Sequence, residues 1–175
     1  MESMNLFEND SAAPKDNLIH YQGELGDFWY DPNEFEIEHT KNDTLHYKGN
    51  DLSVSLSEGY IDTRGVFEGC ELPEGFTLGD KFDTSNVINM DSMFAECSLK
   101  GNIFVGDKFD TSNVENMNHM FMNSDAAAVI IGDKFDTSKV TSMEGVFSNC
   151  KLPEGFSLGE QFDISKLHEY LKGSR

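Results

Sequence analysis

Long apolar runs are missing from this chain of 175 residues: none approaches the ~18 residues that a membrane-crossing helix needs. The first residues, MESMNLFENDSAAPKDN, are acidic and contain no apolar h-region, so they do not read as a secretory signal. Cysteine is scarce and odd in number, with three in all, which speaks against a closed disulfide framework and fits a reducing compartment. Basic residues are also few. Lysine and arginine total 13 against 32 aspartates and glutamates, a formal net charge of −19. Such a balance repels phosphate, so direct binding to nucleic acid or to an anionic membrane is excluded. The partner expected is a protein with a basic surface. Catalytic signatures are absent too. There is no HExxH, no GxSxG, no CxxC, and no Gly-Lys-Ser/Thr ending to a phosphate loop.

What the chain does have is repetition. GDKFDTS occurs at 79–85, 106–112 and 132–138, and a degenerate GEQFDIS at 159–165. One column of phenylalanines falls at Phe82, Phe109, Phe135 and Phe162, in steps of 27, 26 and 27 residues. A second falls at Phe67, Phe94, Phe121 and Phe147, and a third reads Cys70, Cys97, Ser124 and Cys150. Each unit divides in two. The first half, as in GFTLGDKFD, reads as a short strand entering a turn. The second places Val87, Met90 and Phe94 at i, i+3 and i+7, the pattern of one helical face, with Thr84, Ser85 and Asn86 as N-cap oxygens. The same face recurs as Val114, Met117 and Phe121, then Val140, Met143 and Phe147.

A unit of ~27 residues cannot bury both its faces alone, so units must stack. The expected fold is α/β: a right-handed solenoid of about four units of 26–27 residues with an N-terminal β-rich cap. Residues 1–17 are expected to be flexible. Residues 18–55 alternate apolar and polar positions (LIHYQ, DFWY, FEIEHT, TLHYKG, LSVSL) and read as an acidic antiparallel sheet forming the cap. The solenoid then covers 56–165, and 166–175 form a C-terminal capping helix. The pattern FDTSNVxNMxxMFxxC, carried by Phe82 to Val87, Asn89, Met90, Met93, Phe94 and Cys97 and their copies over about 56–166, resembles the BspA-type leucine-rich repeat of bacterial surface antigens. That resemblance implies a leucine-rich-repeat-like solenoid that binds host or microbial proteins, with no catalytic residues attached to the motif.

Several side-chain patterns invite chemistry and have plainer readings. The Cys column suggests zinc. Its sulfurs are a repeat or more apart and one position is Ser124, so it reads as small groups packing near a turn, and no metal or other cofactor is expected. The pairs Asp80/Asp83, Asp107/Asp110 and Asp133/Asp136 lack the Asp/Asn/Gly alternation of a calcium loop and read as turn and cap residues. None of His20, His39, His46, His119 and His168 has a metal or catalytic spacing, and the chain is not expected to be an enzyme.

Charge is unevenly spread. Residues 1–97 hold 21 acids and 5 bases; residues 98–175 hold 11 and 8. The run at 31–43 supplies Asp31, Glu34, Glu36, Glu38 and Asp43 against Lys41 alone. On a strand Glu34, Glu36 and Glu38 would share one face at ~6–7 Å, roughly the phosphate spacing of one nucleic-acid strand, with Phe35, Ile37 and His39 on the other. Asp27, Asp51, Glu58, Asp62 and Glu68 complete the candidate partner-binding set. The plainer reading is a solvated face that keeps the protein soluble. The functional reading is a non-enzymatic, nucleic-acid-mimicking inhibitor of a DNA- or RNA-handling protein. By analogy of charge and size it is of the anti-CRISPR or anti-restriction type found in phages and mobile elements, acting on a CRISPR or restriction nuclease in the bacterial cytoplasm. The alternative is a surface or secreted adhesin-type domain of BspA-like kind, at the cell surface once a leader is removed. A homodimer through the solenoid ends is compatible with either.

Overall fold

Alternation of apolar and polar residues does build strands at the start of the chain, as two separate hairpins. In this computed structural model the described residues are 17–79, 81–101, 104–132, 134–155, 162, 163 and 165. Strands β1 (Ile19–Gly23) and β2 (Gly26–Tyr30) pair antiparallel, with His20 opposite Trp29 and Tyr21 opposite Phe28. Strands β3 (Phe35–His39) and β4 (Asp43–Tyr47) pair likewise, with Glu36 opposite His46 and Ile37 opposite Leu45. Tyr21, Phe28, Tyr30, Phe35, Leu45 and Tyr47 turn inward to the core, as period-2 alternation requires. LSVSL does not join an antiparallel sheet. Its Ser53 and Leu56 bridge in parallel to Thr77 and Phe82, so it is the first layer of the repeats.

The α/β solenoid is overturned. One helix, α1 (Ala127–Ile130), lies wholly within the described residues, and there the repeats contribute a single two-stranded parallel pair, β5 (Glu71–Leu72) with β6 (Ser98–Leu99). The architecture is mainly β and coil. Where a helix was expected, backbone hydrogen bonds alternate. Met93, Ala95 and Cys97 donate back three residues, to Met90, Ser92 and Phe94. Ser92, Phe94 and Glu96 donate instead to Asn118, Met120 and Met122 of the next unit. Every N–H of the run is thus satisfied without an i→i−4 bond. The backbone also turns left-handed at two fixed places per unit: Gly65, Ser92, His119 and Gly145 (φ 65°, 57°, 56° and 63°) and Gly69, Glu96, Asn123 and Asn149 (72°, 55°, 57° and 54°). Left-handed residues end a right-handed helix, so the i, i+3, i+7 pattern here marks the inward corners of consecutive turns.

Copies of the unit lie in parallel register. Asp62, Asn89, Asn116 and Ser142 bridge in succession. The Phe67, Phe94, Phe121 and Phe147 rings stack at 5.3, 6.0 and 6.1 Å with interplanar angles of 11°, 9° and 13°. Met90, Met93, Met117, Met120 and Met143 are fully buried beside them, whereas Met122 and Trp29 are half-buried. The expected N-cap threonines do other work. Thr84 Oγ1 accepts the Asp110 N–H at 2.6 Å and donates to the Asp110 carbonyl at 2.8 Å, and Thr111 holds Asp136 in the same way. Asp83, Asp110 and Asp136 each accept the N–H two residues on, closing Asx turns. The capping helix over 166–175 and the flexible segment over 1–17, apart from Asn17, fall outside the described residues.

Candidate functional site

The acidic residues separate into those tied to the frame and those gathered on its surface. Asp31 belongs to the frame: its carboxylate accepts the Asn33 N–H at 2.8 Å, and its carbonyl accepts those of Glu34 and Phe35. That turn places Glu34 before β3, and Glu34 is 8% exposed. The expected row of Glu34, Glu36 and Glu38 is therefore broken, because strand alternation begins only at Phe35. Burial, then a hydrogen bond shared with the exposed Asp51, pushes the Glu34 carboxyl up to about 7. Asp62 is buried as well. Burial raises its carboxyl, while the Arg64 N–H at 3.1 Å and guanidinium at 2.9 Å oppose the rise. The same guanidinium reaches Glu24 at 3.1 Å, and Glu24 accepts the Asp43 N–H at 2.5 Å. One arginine thus ties both hairpins to the first repeat.

Three histidines face carboxylates on the hairpins. His20 lies 2.6 Å from Asp27, which also accepts from Gln22 at 3.0 Å, and these bonds hold the Asp27 carboxyl below its ordinary value. Asp43 is held down by the Tyr21 hydroxyl at 2.7 Å and by His39 at 2.8 Å. His46 reaches Glu38 at 3.1 Å and shares the outward face of β3 and β4 with Glu36. Glu58 is exposed.

Beyond His46 the carboxylates crowd. At Gly65 a Cβ would meet close neighbours: Glu68 Oε2 lies 3.2 Å from that point, Thr44 Cγ2 3.4 Å and His46 Cε1 4.0 Å. With φ at 65°, a glycine suits both the backbone and this approach. Partial burial, then the charge of Glu96, raises the Glu68 carboxyl; His46 opposes the rise, and Asp91 adds a smaller push upward. Among the described residues, none of Glu68, Asp91 and Glu96 forms an ion pair. Sequence reasoning passed over Glu24, His46, Asp91 and Glu96. The strand alternation that sets Glu36 and Glu38 outward also sets His46 beside them, and that signal was readable. The neighbourhood of Asp91 and Glu96 needed the stacking register.

The set brought together is thus Glu36, Glu38 and Glu68, with Asp91 and Glu96 added. Asp27 and Asp43 sit on the first hairpin and at its junction with the second, and Glu34 and Asp62 are inside. No group of His, Cys, Asp and Glu able to hold a metal ion occurs among the described residues. Cys70, Cys97 and Cys150 are free thiols. Burial pushes Cys70 up to about 11 and Cys97 up to about 12, and the Cys70 and Cys150 thiols donate to the carbonyls of Tyr47 and Ser124. A protonated, carbonyl-bonded thiol is a poor nucleophile. A polar surface depression lies beside this column, lined by Glu96, Ser98, Asn123, Asp125, Asn149 and Lys151.

A family model described as "Mycoplasma protein of unknown function, DUF285" matches residues 61–169. No curated protein and no solved structure gives a significant match.

Proposed function

The chain belongs to the DUF285 family, and from that premise we propose that it is a non-enzymatic protein that binds a basic protein surface through its acidic N-terminal half. One observation carries the reading: hydrogen bonds from Gly65 and Gly69 to the Asp91 and Ala95 carbonyls set Glu68 beside the turn that bears Asp91 and Glu96, and among the described residues none of the three carboxylates is paired to a lysine or arginine. Like charges held close oppose folding, so an arrangement that keeps them invites a partner that supplies the cations. The DNA- or RNA-handling proteins, a CRISPR or restriction nuclease among them, have basic channels of this sign, and an inhibitor in such a channel replaces phosphates with carboxylates. In this reading Glu36, Glu38, Glu68, Asp91 and Glu96 make the contact, with Asp27 and Glu58 at its margin. Free thiols at Cys70, Cys97 and Cys150 suit a reducing cytoplasm.

The test is capture from a bacterial lysate on immobilised protein, with and without excess duplex DNA and RNA. Nucleic-acid-binding proteins that are displaced by competitor, and lost as ionic strength rises, support the reading. A complex that persists at about 1 M salt, where the Debye length is ~3 Å, sinks it.

A second reading follows the BspA-type resemblance: an interaction domain that binds through the repeats themselves. Ile61 and Ile88 favour it. They are 40% and 44% exposed and adjacent, the Ile88 N–H donating to the Ile61 carbonyl at 2.8 Å. Its partner would be captured equally at low and high salt.

A further inference from the structure

We infer that the free edge of β1 accepts an extended, lysine- or arginine-bearing segment of the partner as an added strand; the inference rests on the acidic-surface reading just given. Hydrogen-bond direction fixes which backbone groups are available. On β2, the Asp27 N–H donates to the Gly59 carbonyl at 2.8 Å, and the Trp29 carbonyl accepts the Ser57 N–H at 3.3 Å. Asp27 and Trp29 therefore point away from β1. Their opposite numbers Gln22 and His20 form the non-hydrogen-bonded pairs and point away from β2. Among the described residues nothing bonds the backbone of His20 or Gln22. Among the described residues the sheet ends there, at the order β1–β2.

Edges of this kind are usually blunted by a charge, a proline or a bulge. IHYQG has none of these, and four of its five residues are exposed. What lies around the edge sets the chemistry of the occupant. On the outer face His20, Gln22, Asp27 and Trp29 form a platform. The His20 and Trp29 rings stack at 4.5 Å and 11°, and the Asp27 carboxylate is 63% exposed at the end of the His20 and Gln22 contacts. On the other face Ile19 is 44% exposed. An added strand that alternates cationic and apolar residues would set cations toward Asp27 and Trp29 and apolar groups against Ile19. Main-chain bonds to His20 and Gln22 would supply affinity, and the alternation would supply selectivity. A second copy of this chain is disfavoured as occupant by its −19 charge.

The probe is an acetylated, amidated peptide of alternating lysine and valine, compared with the same peptide methylated on alternate backbone nitrogens. Amide exchange of the full chain is followed residue by residue. The native peptide is expected to slow exchange at His20 and Gln22 by about tenfold or more, and the methylated peptide to leave it unchanged. Gln22→Pro removes an N–H that points off the sheet, a position where an edge strand tolerates proline, and is expected to abolish the protection while β1 stays paired to β2. Binding that spares these amides and shifts Glu36, Glu38 or Glu68 instead overturns the edge but keeps the acidic surface. No binding overturns the edge, leaving the lysate capture to decide the rest. Protection that rises with protein concentration without peptide assigns the edge to a second copy and also overturns the inference.

Discussion

Replacing Thr111 by valine isolates what the threonine column contributes to the stack. Thr111 is 1% exposed, and valine preserves its shape. The substitution removes two bonds to the next unit, the one Oγ1 donates to the Asp136 carbonyl at 2.9 Å and the one it accepts from the Asp136 N–H at 2.8 Å. At about 0.5–1.5 kcal/mol each, with the Asp136 groups left less well satisfied, the loss should be about 2–3 kcal/mol. For a chain of this size that is roughly 4–12 °C in Tm. Urea unfolding followed by circular dichroism should show a lower midpoint at unchanged slope. Thr111→Ser keeps the oxygen and loses only a methyl group, at about 1 kcal/mol. The order of the two variants is the decisive point. If serine is the more damaging, or if valine matches the parent protein, the column acts by packing and the hydrogen-bond argument fails.

Two further outcomes follow from buried charge. The folded Glu34 carboxyl, raised from 4.5 to about 7, binds more protons than its unfolded counterpart, so its contribution is full below pH 4.5 and is lost as pH rises through 7. After allowance for solvent screening this amounts to about 1–2 kcal/mol, and Glu34→Gln should flatten the fall in Tm between pH 5 and pH 7.5. Arg64→Met leaves Asp62 buried without its counter-ion and should destabilise by about 2–4 kcal/mol; adding Asp62→Asn should recover part of that, and a double-mutant cycle showing simple additivity would count against the coupling.

Repetition, the phenylalanine columns and the buried methionines were readable because they are one-dimensional facts of spacing. The helical half was not. Val87, Met90 and Phe94 satisfy i, i+3, i+7, but a run of turns that alternates inward bonds with bonds to the next unit returns the chain to the same side at similar intervals. The discriminating signal lay in residues that the apolar pattern ignores. Gly65, Gly69 and Gly145 repeat at positions otherwise held by Ser92, Glu96, His119, Asn123 and Asn149, all left-handed. Glycine and asparagine recurring inside an apparent helical face argue for turns. LSVSL was misplaced for a related reason: alternation identifies an extended segment and says nothing of whether its neighbour runs parallel.

The charge asymmetry survived into the structure only at the level of the half-chain; which acids meet a partner is a matter of three-dimensional placement. Glu34 lost its surface position because Asp31 closes a turn ahead of β3, and Asp62 lost its own because Arg64 draws it in. In exchange, Asp91 and Glu96, a repeat away in sequence, come beside Glu68 because Gly65 and Gly69 hydrogen-bond to the carbonyls of Asp91 and Ala95. The regular phosphate-like row thus gives way to a cluster with one imidazole at its edge. The carboxylates around His46 are therefore expected to dominate the salt dependence of any complex, with Glu68→Gln and Glu96→Gln reducing it more than Glu58→Gln.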